Sequence, residues 1–385
     1  MKQLERVMFA IPNMHSSGAQ RVVAILCNSF AKRNIKVCLC YTGGTREPSF
    51  YPLDKEIEVF YSRSPLLEKI KKIEKVINPG DGLNYYTKII RLRRKIRQFK
   101  PQIIVAFMDY TANFILTVSK GLNIPVVLAV RNSLEERIDI TKQFKDSYKE
   151  YSGIVYQTHE QKEQYTRTFE LSEKVKQEII LNPVEYSSLW DKERKPINNL
   201  LIAVGREHEQ KNYPLLLKAF SEVVKKYPTA RLHIYGKMKP DSELPALAQE
   251  LQIEDKVTFC GVHPIVEEKV NEAEIFIIPS LYEGIPNVLV EAMCLGLPCI
   301  STDFGGGGAR ELISNEENGL IVKNNDVPSM VEAILKLLSD KEYANSLGSK
   351  AKNLRERLDA NVIAEQWVSF LKTISNSEIV DESTR

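Results

Sequence analysis

The chain has 385 residues, of which 43% are hydrophobic and 27% charged, with 18 Gly and 18 Pro. At roughly 100–200 residues per domain this implies two globular domains, and the composition excludes a disordered chain, a collagen-like repeat and a disulfide scaffold. The net charge of +3 conceals an asymmetry: residues 1–190 carry 30 basic against 20 acidic side chains, and residues 191–385 carry 23 against 30. The first half is suited to an anionic partner, and the second is not.

Apolar runs such as Ile124–Val130 and Leu200–Val204 fall far short of the roughly 18–20 residues that span a bilayer. Met1–Arg6 leads into a strand-like run with no apolar signal core behind it, so a cytoplasmic chain is expected. The cysteines, Cys27, Cys38, Cys40, Cys260, Cys294 and Cys299, form no Cys-x-x-Cys pair, and no His completes a zinc-like spacing. Neither a metal site nor a disulfide framework is expected.

In chain order, Arg6–Pro12 is the first strand-like run, followed by a polar loop holding His15, Ser17 and Gly18. Further runs are Ile35–Tyr41 and Ile57–Tyr61. The segment 66–100 then carries 11 basic against 3 acidic residues. Within it Ile89, Leu92, Ile96 and Phe99 form one helical stripe, while Lys88, Arg91, Arg93, Arg94, Lys95 and Arg97 fill most of the remainder. Two readings stand here. One is a surface helix with solvated charges; the other is a face that meets an anionic membrane surface, each cation contributing up to ~1 kcal/mol. Nucleic acid is not expected, because no recognition-module pattern is present.

Strand-like runs continue at Gln102–Phe107, Pro125–Val130 and Gly153–Thr158. A polar stretch, Trp190–Asn199, reads as a linker. Beyond it come Leu200–Gly205, Arg231–Gly236, Val257–Gly261, Ile275–Ser280, Pro298–Asp303 and Gly319–Val322, with helical spacing at Pro214–Val224 and Val327–Leu338. Near-continuous apolar strands indicate sheets buried on both faces. The expected fold is α/β, with two doubly wound, Rossmann-like domains at 1–190 and 191–358. Residues 359–385 form a terminal helix and polar tail. The ligand is expected in a cleft at the carboxyl ends of the strands.

The segment Ser280–Glu291 runs from a buried strand through Gly284, Ile285 and Pro286 into a helix beginning near Asn287 and Val288. Such a turn aims the first free N–H groups of the helix at an anion. Glu283 and Glu291, about two helical turns apart, suit hydrogen bonds to hydroxyls at two places on an extended polar ligand. For an isolated pair, a turn cap and a solvated helix residue is the commoner explanation.

The surroundings alter that balance. Glu283 to Glu291 resembles the Glu-x7-Glu motif of family 4 glycosyltransferases, the retaining group with the GT-B fold. Gly205-Arg206 with Lys211-Asn212, the glycine loop Ser17–Arg21, Leu181–Val184 and Ser301–Glu311 resemble other segments of that family, in the same order. The resemblance covers about the whole chain. It implies that Arg206 and Lys211 neutralise the diphosphate of a nucleotide-sugar donor, whose departure places charge on the leaving group. It implies that Glu283 contacts donor-sugar hydroxyls and Glu291 the ribose, and that Gly18 lets the loop backbone approach the diphosphate. It also implies a terminal helix that packs back on the first domain.

The sequence departs from the family pattern after Pro125–Val130, where many relatives place a His and this chain has Arg131-Asn132. Arg131 and Asn132, with His15, Asp109 and Asn113, are the candidates on the acceptor side. Asp109 equally fits a helix cap, and His15 a plain loop residue. No Asp-x-Asp occurs, so no metal or other cofactor is expected. The resemblance thus implies a retaining, metal-independent glycosyltransferase with a UDP-sugar donor. Its expected acceptor is a polyprenyl-diphosphate-linked glycan at the inner membrane face. A non-catalytic partner subunit and a nucleotide-sugar epimerase are the rival readings.

Overall fold

A computed structural model describes residues 3–43, 46–64, 82–131, 133–134, 144–263 and 265–382. The chain forms two compact units, Met1–Pro183 with Ala360–Arg385, and Val184–Asp359. The chain passes between them at Pro183/Val184, a few residues before the break expected near 190. The reason is local: Val184 donates its N–H to Leu358 O and bridges Asp359, so it already belongs to the second unit. The stretch 190–199 is likewise tied down there. The Arg355 guanidinium lies 4.9 Å over the Trp190 ring, and Ile197 N–H donates to Glu272 O.

The first unit contains a seven-stranded parallel sheet. Its strands are β1 (Arg6–Ile11), β2 (Lys36–Tyr41), β3 (Glu58–Tyr61), β4 (Ile103–Phe107), β5 (Val126–Ala129), β6 (Gly153–Tyr156) and β7 (Lys176–Ile179). The order β3-β2-β1-β4-β5-β6-β7 reverses direction between β1 and β4. Strands β4, β5 and β6 are buried along their whole length, which is why they read as unbroken apolar runs. Strand β7 is the exception. It sits at the sheet edge with alternating exposure, and its sequence Lys-Gln-Glu-Ile carries no apolar run.

The second unit has six parallel strands: β8 (Leu200–Val204), β9 (Arg231–Tyr235), β10 (Val257–Gly261), β11 (Ile275–Ile278), β12 (Cys299–Thr302) and β13 (Leu320–Val322). Their order is β10-β9-β8-β11-β12-β13, with the reversal between β8 and β11. Helices Tyr213–Lys226 and Val327–Ser339 pack together over this sheet through Leu216, Phe220, Ile334 and Leu337. The last helix, Ala360–Glu382, belongs to the first unit and packs against the helix Gly18–Ala31, with Trp367 fully buried.

The basic segment is corrected in detail. Helix Gly82–Phe99 buries Leu92 and Ile96 in the core as its periodicity implied. Most of its cations are not on offer to a partner. Arg91 donates to Ser62 O and Tyr61 O, Arg93 to Val118 O and Lys120 O, and Lys88 to Thr42 O. Lys95 is buried and paired with Glu58. Arg94 and Arg97 remain exposed, one turn beyond exposed Ile90 and Tyr86 on the same face. Residues 66–81 of the proposed basic face lie outside the described residues.

Candidate functional site

In a doubly wound sheet, ligands bind beyond the carboxyl ends of the strands where the order reverses. In the second unit that place lies after β8 and β11, and two loops meet there. The loop after β8 holds Gly205, Arg206 and a short 3-10 turn, Glu209–Lys211. The turn after β11 holds Ser280–Pro286.

The first loop is built from close backbone approaches. Gly205 N–H donates to Tyr235 O, and a side chain at Gly236 would place its Cβ 2.0 Å from Gly205 O. Buried Tyr213 donates its hydroxyl to Gly205 O at 2.7 Å. Its own pKa is pushed up by burial, and further by the Glu283 carboxylate. His208 caps the 3-10 turn, Nδ1 accepting from Gln210 N–H at 3.2 Å. These contacts leave Arg206 exposed at the mouth and bring Lys211 inward.

Lys211 Nζ lies 2.5 Å from Glu283 Oε1, with only 14% and 12% of the two side chains exposed. Ser280 donates its hydroxyl to the same oxygen at 3.1 Å. The backbone behind Glu283 is fixed from three directions. Gln210 accepts from Leu281 N–H at 2.8 Å and donates its amide to Tyr282 O at 2.9 Å. Asn324 donates to Leu281 O, and Glu283 N–H donates to Gly305 O. Gly308 presses on the turn from the other side, where an added Cβ would meet Gly284 O at 1.8 Å. Ile285 and Pro286 are buried, and the helix Asn287–Leu295 begins immediately after them. Asn287, Val288 and Glu291 are half-buried on that helix.

The sequence-derived set Arg206, Lys211, Glu283, Gly284, Ile285, Pro286, Asn287, Val288 and Glu291 is therefore gathered on one side of one sheet. Ser280, Gln210 and Tyr213 were missed. Two act through backbone groups that no residue pattern announces; Ser280 was read only as a strand end.

The first unit has its own switch point, after β1 and β4. Gly18 is the first residue of the helix Gly18–Ala31, and the preceding Ser17 carbonyl accepts from Tyr51 OH at 3.0 Å. His15 is exposed, its Nε2 2.8 Å from Glu47. After β4, Met108 adopts φ 70°, ψ 143°, a conformation that costs a non-glycine residue on the order of 1–3 kcal/mol. It is held by Met108 N–H donating to Ala129 O. The following Asp109 is buried, not presented to solvent, and accepts from Tyr148 OH at 2.5 Å. Asn113 is half-buried one turn further on, its amide nitrogen enclosed.

Arg131 is corrected most plainly. It does not line an open site: it is buried, donates to Asn182 Oδ1 at 3.0 Å, and lies 4.8 Å over Phe107 and 5.9 Å over Trp367. Burial lowers its pKa from the usual arginine value. Asn132 lies outside the described residues. Among the described residues, no three His, Cys, Asp or Glu side chains are arranged to hold a metal ion. No helix there is long and apolar enough to cross a membrane.

Known protein families match both halves of the chain. The description "Glycosyl transferases group 1" matches residues 189–354, and "Glycosyltransferase Family 4" matches residues 16–187. Two relatives come from Campylobacter jejuni. One is an N-acetylgalactosamine-N,N'-diacetylbacillosaminyl-diphospho-undecaprenol 4-alpha-N-acetylgalactosaminyltransferase, 25% identical over 96% of this chain and 100% of its own length. The other, an alpha-1,4-N-acetyl-D-galactosaminyltransferase named for a longer undecaprenol-linked acceptor, is 24% identical over 97% and 99%. Among solved structures, the pneumococcal O-GlcNAc transferase in complex with UDP and GlcNAc superposes with a TM-score of 0.76 at 14% identity, over 97% of this chain and 99% of that one, which bears on the fold alone. The chain belongs to the family 4 glycosyltransferases, a glycosyl-transferring enzyme of the GT-B fold.

Proposed function

We propose that the chain moves an N-acetylhexosamine or hexose from a UDP-sugar to a hydroxyl of a polyprenyl-diphosphate-linked glycan, with retention and without a metal, in surface-polysaccharide assembly. The observation that carries this is the convergence of Arg206, Lys211, Glu283 and the start of helix Asn287–Leu295 at one switch point. Two cations and the first free N–H groups of a helix supply the positive field that a departing diphosphate needs. Glu283 and Glu291 then take donor hydroxyls, on the sugar and the ribose. The named substrates of the two Campylobacter relatives support a lipid-linked acceptor.

In the proposed step the bond from the anomeric carbon to the β-phosphate oxygen breaks. The acceptor oxygen bonds to that carbon from the same face. The acceptor proton passes to the departing phosphate, so no protein base is required. Arg206 and Lys211 hold the charge that develops on the phosphate, and Glu283 orients the sugar. Work at the inner membrane face is part of this reading, with Tyr86, Ile90, Arg94 and Arg97 as the contact row.

The test is calorimetric titration with UDP-, GDP-, ADP- and dTDP-sugars against wild type and Arg206→Ala/Lys211→Ala. One nucleotide should bind, and the double variant should lose it. No binding by folded wild type would favour a non-catalytic subunit. Isomerised product from the nucleotide sugar alone would favour an epimerase. The anomeric configuration of the product, read by NMR with and without EDTA, decides retention and metal independence.

A further inference from the structure

The first unit carries exposed tyrosine rings, Tyr110, Tyr85 and Tyr86, that lie outside its core and outside the donor site. Tyr110 is the second residue of helix Asp109–Ser119, which leaves the carboxyl end of β4 directly. Its ring is 68% exposed and rests against Phe144, centroids 6.5 Å apart at 66°. One turn further on, Phe114 supports Tyr85 of the neighbouring helix at 5.8 Å and 62°. Tyr85 is 44% exposed and in turn touches Tyr86 at 6.0 Å. Phe114 and Phe144 both pack on the hydrophobic core. Tyr110 and Tyr85 are therefore each braced by a phenylalanine that is itself anchored.

We propose that Tyr110, Phe114 and Tyr85 form a stacking platform for pyranose rings of the acceptor glycan, distal to the sugar that reacts. Tyr110 and Phe114 lie four residues apart on one helix and so share a face, and large exposed apolar groups gathered on one face mark a binding site. The face of an aromatic ring is negative, and the axial C–H bonds of a pyranose present a weakly positive face of matching size. Tyrosine adds a hydroxyl for the sugar's rim and loses little conformational freedom on binding, the more so when already braced. A sugar occupant is favoured over lipid by three features of the row. It contains no Lys or Arg, it ends in hydroxyl-bearing rings, and it starts at the switch point of the sheet, where ligands bind. The identity of the ligand rests on the transferase reading; the platform itself is read by binding alone.

The experiment titrates the full chain with α-1,4-linked N-acetylgalactosamine oligosaccharides of one, two and three residues. It compares wild type with Tyr110→Ser, Tyr85→Ser and Tyr110→Phe. The serine variants should weaken trisaccharide binding by about 5–30-fold, leaving the monosaccharide and UDP within twofold of wild type. Tyr110→Phe should keep most of the trisaccharide affinity. Equal trisaccharide affinity in wild type and both serine variants overturns the platform. So does affinity that fails to rise with oligosaccharide length. Serine variants that release from phosphatidylglycerol vesicles with oligosaccharide binding intact would assign the row to lipid and overturn it too. Failure of the transferase reading appears separately, as absence of UDP-sugar binding by wild type.

Discussion

Lys211 and Glu283 neutralise one another across the crevice between β8 and β11, 2.5 Å apart and largely shielded from water. Under the proposed function these are the groups that meet adjoining parts of the donor, Lys211 the diphosphate and Glu283 the sugar bonded to it. The nucleotide must therefore compete with Glu283 for its cation, and a sugar-bearing donor frees both partners together.

That competition has a measurable sign. Glu283→Gln keeps the shape of the side chain and removes its charge, so UDP alone should bind about 3–10-fold more tightly, a gain of roughly 1 kcal/mol. Transfer should fall by about 100-fold or more, because an electrostatic contact to the reacting sugar is lost. Calorimetry with UDP and a product assay read the two effects. Weaker UDP binding in the variant would show that Glu283 holds Lys211 ready and does not compete with the nucleotide.

Gly308 sets a steric limit on the same turn. A Cβ there would stand 1.8 Å from the Gly284 carbonyl, a backbone atom that cannot rotate away. Gly308→Ala should push the Tyr282–Gly284 segment off Lys211 and lower turnover at least tenfold. The second unit's sheet should survive, with far-UV circular dichroism unchanged. Wild-type turnover in this variant would mean that the turn is free to shift without affecting the chemistry.

Most of the fold was legible because burial on both faces leaves the same mark at each central strand. Ile103–Phe107 and Ile275–Ile278 are apolar throughout, and so they announce themselves. Strand β7 was not legible, since an edge strand with one solvated face carries polar residues. Arg206, Lys211 and Glu283 were singled out through the family resemblance, since spacing alone favours plain surface residues, and the fold gathers them on the loops after β8 and β11. What spacing does not give is the direction of a side chain. Arg131 reads as a cation beside the site and is instead buried against the Phe107 and Trp367 rings. The basic helix reads as a charged face, yet Arg91 and Arg93 are spent on backbone carbonyls.

Arg131 should accordingly behave as a packing residue. Arg131→Ala removes the plane beside Phe107 and Trp367 and the hydrogen bond to Asn182 Oδ1, the oxygen that also accepts from Gln157 at 2.8 Å. A loss of about 2–4 kcal/mol is expected, read as a lower denaturant midpoint, with UDP affinity within twofold of wild type. An unchanged midpoint together with a raised acceptor KM would return Arg131 to the acceptor site.

The buried acids fix how stability depends on alkaline pH. Burial pushes the Cys38 and Cys294 thiols up to about 12 from 9.0, and it raises Cys27, Cys40 and Cys299 as well. Tyr148, Tyr151 and Tyr156 are raised by burial first and by the Asp109 carboxylate second. In each case the unfolded chain gives up its proton at lower pH than the folded one. Their contribution is therefore complete below about pH 9 and is lost as pH rises through the window from 9 to 12. The urea midpoint should be level from pH 7 to about 8.5 and fall steadily above it. Cys294→Ala should make that fall shallower, having removed one of the groups that drive it. A midpoint that rises between pH 9 and 11 would contradict the sign, and would mean that charge relief elsewhere outweighs these thiols and phenols.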